Sequence, residues 1–290
     1  MVKYIPHDLV ERDKYDLCIS QSKNRRIYAF SWYLDCVAEK WDILMSDSYS
    51  KVMPLPRRKK YGINYIYMPS WTQQLGVFSR DEIAEDEVLA FLNGIPGKFV
   101  SVDYCLNASN HVDRISLPKR DNYILPLHQG FEEICKGYNN NRQRISKRSF
   151  AAFFIDKKGS KKDFLNLFED QNLTYPMSSD ALRKCKNLLA LDNDHVHTWN
   201  VFKKEKCVGG LIWLKDANRI TYLFPLIKDE VKKEHVNTLL INALIRDHQN
   251  SDRILDFEGS MIPGVARFYK SFGARKEKYQ LFKKRLFSYV

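Results

Sequence analysis

The sequence predicts a mixed α/β (α+β) protein of two fused domains, each a central mixed sheet flanked by helices. Three observations carry this expectation. The chain has 290 residues, enough for two hydrophobic cores. Segments with strand and helix periodicity alternate along its whole length. The element order of the second half also appears, more loosely, in the first, so the likeness is one of order rather than of a residue-level repeat.

In the first half, RRIYAFSWYLDCVAEKW (25–41) has the pattern of an amphipathic helix. The β-like runs WDILMS (41–46), KVMPLP (51–56) and NYIYMPS (64–70) follow. A helix is expected within 79–94, because Ser79 and Glu82 have capping-box spacing and Gly94 suits the C-terminal break. GKFVSVDYCL (97–106) and NYILPL (122–127) read as strands. Residues 130–148 predict one helix with Phe131, Ile134, Cys135 and Tyr138 on a single face. It turns polar at YNNNRQRISKRS, and a new apolar run begins at FAAFFID. The boundary is therefore expected near Ser149, giving domains 1–148 and 149–290.

The second half is more sharply patterned. Ser160 and Ser179 are N-cap candidates for helices over 161–170 and 180–191. HTWNVFKK, CVGGLIWLK and RITYLFPLI, separated by the turn-like KEK and DAN, predict a meander. Over 234–248, Val236, Leu239, Leu240, Ala243 and Leu244 keep helical spacing. RILDFEG reads as a strand, Val265, Phe268, Tyr269 and Phe272 as a helix stripe, and EKYQLFKKRLF (277–287) as a closing strand.

Composition narrows the function classes. The net charge of +12 favours anionic partners such as RNA, nucleotide phosphates or phospholipid headgroups, or else serves only solubility. No apolar run is long enough to span a bilayer. The charged N-terminus has no signal-peptide core, which predicts a cytoplasmic protein. Cys18, Cys36, Cys105, Cys135, Cys185 and Cys207 include no CxxC pair, so they read as buried reduced thiols rather than a zinc or redox motif. His195 and His197 share a strand face at period two, without a third ligand in reach along the sequence, so no metal is expected.

Four groups of residues could carry chemistry. Asp256 and Glu258 flank Phe257, so a regular strand would place both carboxylates on one face, where either could take a proton from an attacking amine. Otherwise Asp256 caps a turn and Glu258 pairs with a surface cation. Trp71, Thr72, Gln73 and Gln74 join an aromatic to two carboxamides, which suits a ligand-contact loop or a loop packed on its own domain. Arg142, Arg144, Lys147 and Arg148 form one basic cluster and PRRKK (56–60) a second, each a phosphate site or a solvated face. Phe268 and Tyr269 are cleft wall or core. No Ser–His–Asp or Cys–His set stands out, which favours direct attack over a covalent intermediate.

DFEGSMIPGVARFYKSFGAR (256–275) is similar to the last strand–helix of GNAT acyltransferase domains. MPSWTQQLGVF (68–78) and YNNNRQRISKR (138–148) resemble segments of the FemABX-like tandem GNAT proteins, so the likeness spans nearly the whole chain. It implies acyl or aminoacyl transfer to an amine, with aminoacyl-tRNA or acyl-CoA as donor and Tyr269 as acid for the leaving group. The chain departs from these families in two ways. It has no long helical arm of the kind that holds tRNA. Residues 225–235, PLIKDEVKKEH, contain no glycine where CoA-using domains have a Gly-rich turn. Two alternatives stay open: a CoA-dependent N-acetyltransferase, favoured by a pantetheine slot beside GGLIWLK, and a non-catalytic RNA- or phospho-ligand-binding module. Oligomeric state is not legible, and peripheral membrane contact is compatible with the charge.

Overall fold

Alternating apolar residues set the strands, and hydrogen bonds set which strands are neighbours. In the computed structural model, which describes residues 1–168, 177–259 and 261–285, the chain divides into two units. The first comprises residues 1–120 and 278–290, the second 121–277.

The first unit opens with β1 (Lys3–Ile5), α1 (Arg12–Gln21) and α2 (Ser31–Val37), then β2 (Lys40–Ser46), β3 (Lys51–Lys60), β4 (Ile63–Ile66), β5 (Phe78–Ser79), α3 (Glu85–Asn93) and β6 (Phe99–Leu106). β1, β2, β3 and β4 are successive antiparallel neighbours, and β5 adds to β3. β4 runs parallel to β6, through Tyr65↔Ser101 and Ile66↔Val102. Buried Ile43, Leu44, Val52, Met53, Val102 and Tyr104 supply the sheet side of the core, and Tyr15, Ile19, Tyr33 and Leu34 the helices.

The second unit contains β7 (Lys119–Pro126), α4 (Phe131–Lys136), α5 (Asn140–Ser146), β8 (Phe153–Asp156), α6 (Lys161–Asn166), α7 (Ser179–Ala190), β9 (Val196–Lys203), β10 (Lys206–Lys215), β11 (Arg219–Ile227), α8 (Val236–His248), β12 (Ile254–Asp256) and α9 (Pro263–Lys270). β8 to β11 form an antiparallel run, β11 is parallel to β12, and β12 is antiparallel to β7. The helix α8 buries Val236, Leu240, Ile241, Leu244 and Ile245 in a core shared with Trp199, Leu211, Trp213 and Tyr222. Ile241 and Ile245 stand where the spacing places Leu239 and Ala243, so the buried face is rotated from the expected stripe.

The last strand, β13 (Arg275–Arg285), pairs antiparallel with β6 through Gln280↔Leu106 and Lys284↔Val102. The strand after β6 thus pairs with β12 of the second unit, and the strand after β12 pairs with β6 of the first. The units divide at Arg120 and Asp121 rather than near Ser149. The reason is packing: α4 and α5 dock on α8 and α9, with Tyr138 Oη donating to Asn242 Oδ1 at 2.9 Å and Arg142 Nε to Ser271 Oγ at 3.0 Å.

Several element boundaries depart from expectation for local reasons. The expected helix over 25–41 shrinks to α2, because Asp16 of α1 accepts the Ser31 N–H at 2.8 Å and starts the helix there. The single helix over 130–148 breaks in two, since Asn139 Oδ1 accepts the Arg142 N–H at 2.8 Å and begins α5. α3 starts after Ala84, whose N–H is taken by Glu87 at 3.1 Å, so the Ser79–Glu82 cap does not form. Ser160 caps α6 as expected, whereas Ser178 rather than Ser179 caps α7. Residues 169–170 and 286–287 of the expected helix and strand lie outside the described residues. All six cysteines are free thiols, three of them buried. Burial pushes Cys105 up to about 11 and Cys185 up to about 12. His195 and His197 do not share a site: His195 Nδ1 meets the Lys215 carbonyl, and the His197 ring stacks on Trp213.

Candidate active site

β11 and β12 pair only through Arg219↔Ile254, Ile220↔Leu255 and Thr221↔Asp256. Beyond that point β11 continues to Ile227 while β12 stops, and a cleft of about 400 Å³ opens between them. Its walls include Tyr222, Leu223, Phe224 and Pro225 of β11, Glu258 and Gly259 after β12, and Gly264, Phe268 and Tyr269 of α9. A strand that loses its neighbour leaves backbone N–H and C=O groups to be satisfied by something else. Pro225 contributes no N–H on this stretch.

The two carboxylates expected on one face are separated. Asp256 Oδ1 accepts the Glu258 N–H at 2.9 Å, an aspartate turn that curls the chain. Glu258 and Gly259 then adopt left-handed backbone, with φ of 57° and 56°. At Gly259 a Cβ would lie 2.2 Å from the Asp121 carbonyl oxygen, so only glycine fits the turn. Asp256 consequently points into the protein and Glu258 lines the cleft.

Asp256 is held in a buried network. Arg219 Nη1 donates to its Oδ2 at 2.6 Å, and Asn122 Nδ2 to its Oδ1 at 3.0 Å. Arg219 Nη2 also reaches Glu277 Oε1 at 2.8 Å. Burial works against the Arg219 charge, but Asp256 and Glu277 outweigh it and hold the guanidinium above its ordinary pKa. These contacts occupy Asp256 fully, so it supports the Glu258 turn rather than facing the cleft.

On the opposite wall, Tyr269 stacks on Phe257 with ring centroids 4.8 Å apart, and Phe268 packs edge-on to Phe272 at 5.2 Å. Tyr222 Oη donates to Asn237 Oδ1 at 3.3 Å and so ties the cleft wall to the first turn of α8. The cleft is therefore rich in aromatic rings and carries one carboxylate, Glu258, and two phenols, Tyr222 and Tyr269, groups of the kind that orient a small molecule and move a proton.

Near the same helix, Arg142 is buried between the Phe268 and Phe272 rings, 4.6 and 4.5 Å from their centroids. Its side-chain hydrogen bonds go to the hydroxyls of Ser271 and Thr238, and no carboxylate among the described residues pairs with it. Burial pulls its pKa below the ordinary value. His235, the N-cap of α8, is likewise lowered by burial and then by Arg148, Arg142 and Arg144. Cations at a helix N-terminus oppose the helix dipole, so an anion there would be well compensated. Arg144 itself is exposed and bonds Asn141 Oδ1 at 3.1 Å.

In the first unit, the amide-rich loop turns inward. Gln74 is fully buried, its Oε1 accepting the Ala108 N–H at 3.0 Å and its Nε2 donating to Gln73 Oε1 at 2.6 Å. Trp71 has left-handed backbone, and its carbonyl accepts the Tyr33 hydroxyl. Sequence reasoning singled out Glu258, Phe268 and Tyr269 but missed Tyr222 and Asn237. Tyr222 is buried in a strand that reads as plain core, and the parting of β11 and β12 places it in the cleft wall.

Solved structures share this architecture. FemX matches over 96% of this chain and 96% of its own, with a TM-score of 0.64 at 10% identity. A tandem GNAT protein from the clavulanic acid biosynthesis pathway matches over 98% of each chain, with a TM-score of 0.56 at 9% identity. The fold is the tandem GNAT fold. A third GNAT-like neighbour is the C-terminal domain of a putative lysylphosphatidylglycerol synthetase from Agrobacterium fabrum. It matches over 94% of this chain and 91% of that one, with a TM-score of 0.57 at 8% identity. No protein-family model matches the sequence, and no curated protein sequence matches it. The GNAT fold expected from residues 256–275 is thus present. β10, which carries GGLIWLK, is paired along both edges, by β9 and β11.

Proposed function

We propose that this protein is an acyltransferase that moves an acyl or aminoacyl group onto an amine, in the cleft of its second unit. The observation that carries the reading is the parting of β11 and β12, which leaves strand backbone, the Glu258 carboxylate and the Tyr269 phenol around one cavity. The amine nitrogen attacks the carbonyl carbon of the donor, and the N–C bond forms. Glu258 takes the amine proton. Backbone N–H groups of β11 beyond Thr221 supply the hydrogen bonds that stabilise the oxyanion. The C–O or C–S bond to the carrier then breaks, and Tyr269 gives its proton to the leaving oxygen or sulfur. Asp256 is a positioning residue, acting through the turn that presents Glu258.

The Arg142, Arg144 and Arg148 group supports a carrier or acceptor with a phosphate. The glycine-free stretch before α8 and the proline in β11 speak for an aminoacyl carrier over CoA. The test is transfer of a labelled group from aminoacyl-tRNA and from acetyl-CoA to a panel of primary amines. Glu258→Gln is expected to slow transfer about 100-fold or more, and Tyr269→Phe about 10-fold or more, with melting temperatures unchanged. Equal rates in Glu258→Gln would overturn the choice of base. A wild-type protein that transfers from neither donor would overturn the activity.

A further inference from the structure

We propose that the β3–β4 hairpin of the first unit is a docking surface for anionic phospholipid bilayers. The inference rests on residues that the proposed reaction does not use. β3 ends at Lys60 and β4 begins at Ile63, so the turn is the two residues Tyr61 and Gly62. Both have positive φ, 50° and 79°, the geometry of the tight hairpin turn that favours Asn-Gly. A tyrosine at the first position is held in backbone that disfavours bulky residues. Its side chain contributes nothing to the core, since Tyr61 is 90% exposed. Ile63, beside it, is 51% exposed.

Strand alternation sorts the rest of the hairpin. The register pairs Lys60 with Ile63 and Arg58 with Tyr65, so these four side chains share one face. Cationic and apolar groups alternate on it: Arg58 lies 5.0 Å from the Tyr65 ring centroid and 4.4 Å from that of Tyr67, and Lys60 Nζ lies 5.3 Å from that of Tyr61. Lys59 is exposed on the other face. Arg57 is neutralised by Asp42, but no carboxylate among the described residues pairs with Arg58, Lys59 or Lys60. A stiff tip of tyrosine and isoleucine, ringed by unneutralised cations, matches a membrane interface, where aromatic and aliphatic groups enter the headgroup layer and cations meet phosphates. RNA fits less well. The Tyr65 and Tyr67 rings are already covered by Arg58, and Ile63 offers neither a stacking plane nor a hydrogen bond.

The test is co-sedimentation of the full-length protein with vesicles of phosphatidylcholine alone and of phosphatidylcholine mixed with phosphatidylglycerol. Binding is expected to the mixed vesicles only and to weaken as salt rises. Lys59→Glu combined with Lys60→Glu should lower the partition coefficient at least 10-fold, each cation near an anionic surface being worth about fivefold. Tyr61→Asn should also lower it, although asparagine improves the turn and the melting temperature should hold or rise. That pairing separates lost docking from lost folding. Equal binding to both vesicle types, or wild-type partition in both variants, overturns the proposal. So does release from mixed vesicles by single-stranded RNA if Tyr61→Asn weakens RNA binding as strongly as vesicle binding.

Discussion

The two units share a strand order but finish their parallel pair differently. In the first, β4 leaves β6 after Ile66, and the chain returns at Leu75 to bridge Leu106, with Leu75 N–H bonded to the Cys105 carbonyl at 2.9 Å and Asn107 N–H to the Leu75 carbonyl at 2.7 Å. Amides complete the seal: Asn110 Oδ1 accepts the Val77 N–H at 2.7 Å, and Asn24 Nδ2 donates to the Val77 carbonyl at 2.7 Å. In the second unit, β12 ends, β11 runs on, and the space beside them is the cleft of Glu258 and Tyr269. One copy of the fold is closed by its own backbone and the other leaves that position open. Of the amide-rich loop that precedes the first unit's seal, Gln74 is buried and bonds the Ala108 N–H, while Trp71 and Gln73 are half-buried.

Substitutions can break this comparison on either side. The largest loss of stability is expected from Arg219→Leu, which leaves the buried Asp256 carboxylate without its guanidinium partner. Removing one partner of such a network costs about 3–5 kcal/mol. Denaturant unfolding should show this loss, and transfer should fall as well, because the turn that presents Glu258 rests on Asp256. Gly76→Ala disturbs the seal instead. Its φ is 119°, and a Cβ would lie 2.0 Å from Asn110 Oδ1. About 1–3 kcal/mol of stability should be lost, with the transfer rate of the folded protein unchanged. A transfer rate that falls in parallel would mean that the first unit takes part in the reaction.

Acid should sharpen the contrast more gently. Burial lowers the pKa of His197, His235 and His248, all in the second unit. Unfolded, each binds a proton near its ordinary value of 6.5, whereas folded it does so only at lower pH. Between those values the unfolded chain holds more protons, so stability falls as pH drops below about 6.5 and levels off once the folded histidines also titrate. Hydrogen exchange should show lost protection first around Trp213, which contacts both His197 and His248. Protection in the second unit that stays constant from pH 7 to pH 5 would contradict this reading.

Much of the second unit was legible because its signals are local. The period of β9, β10 and β11, the apolar stripe of α8 and the Ser160 cap each lie within a dozen residues. What could not be read is long-range. The cap that starts α2 comes from Asp16, and the sheet chosen by β13 is not encoded in its own alternation. α1 escaped because it is mostly polar, although Tyr15, Cys18 and Ile19 keep helical spacing and are buried. At the site, Asp256, Glu258 and Tyr269 were visible as residue types. Which carboxylate faces the cleft was not, because the left-handed turn at Glu258 and Gly259 cancels the strand alternation from which a shared face was expected.

The most direct test of the open cleft uses Gly264. It lines the cavity, and a Cβ built there meets no atom within 4 Å. Gly264→Trp should therefore fill the cleft without disturbing the fold. The measurement is the transfer rate of this variant with the donor and amine that the wild-type protein uses best. The account predicts transfer abolished at an unchanged or higher melting temperature. Wild-type transfer by a folded Gly264→Trp protein would place the reaction elsewhere.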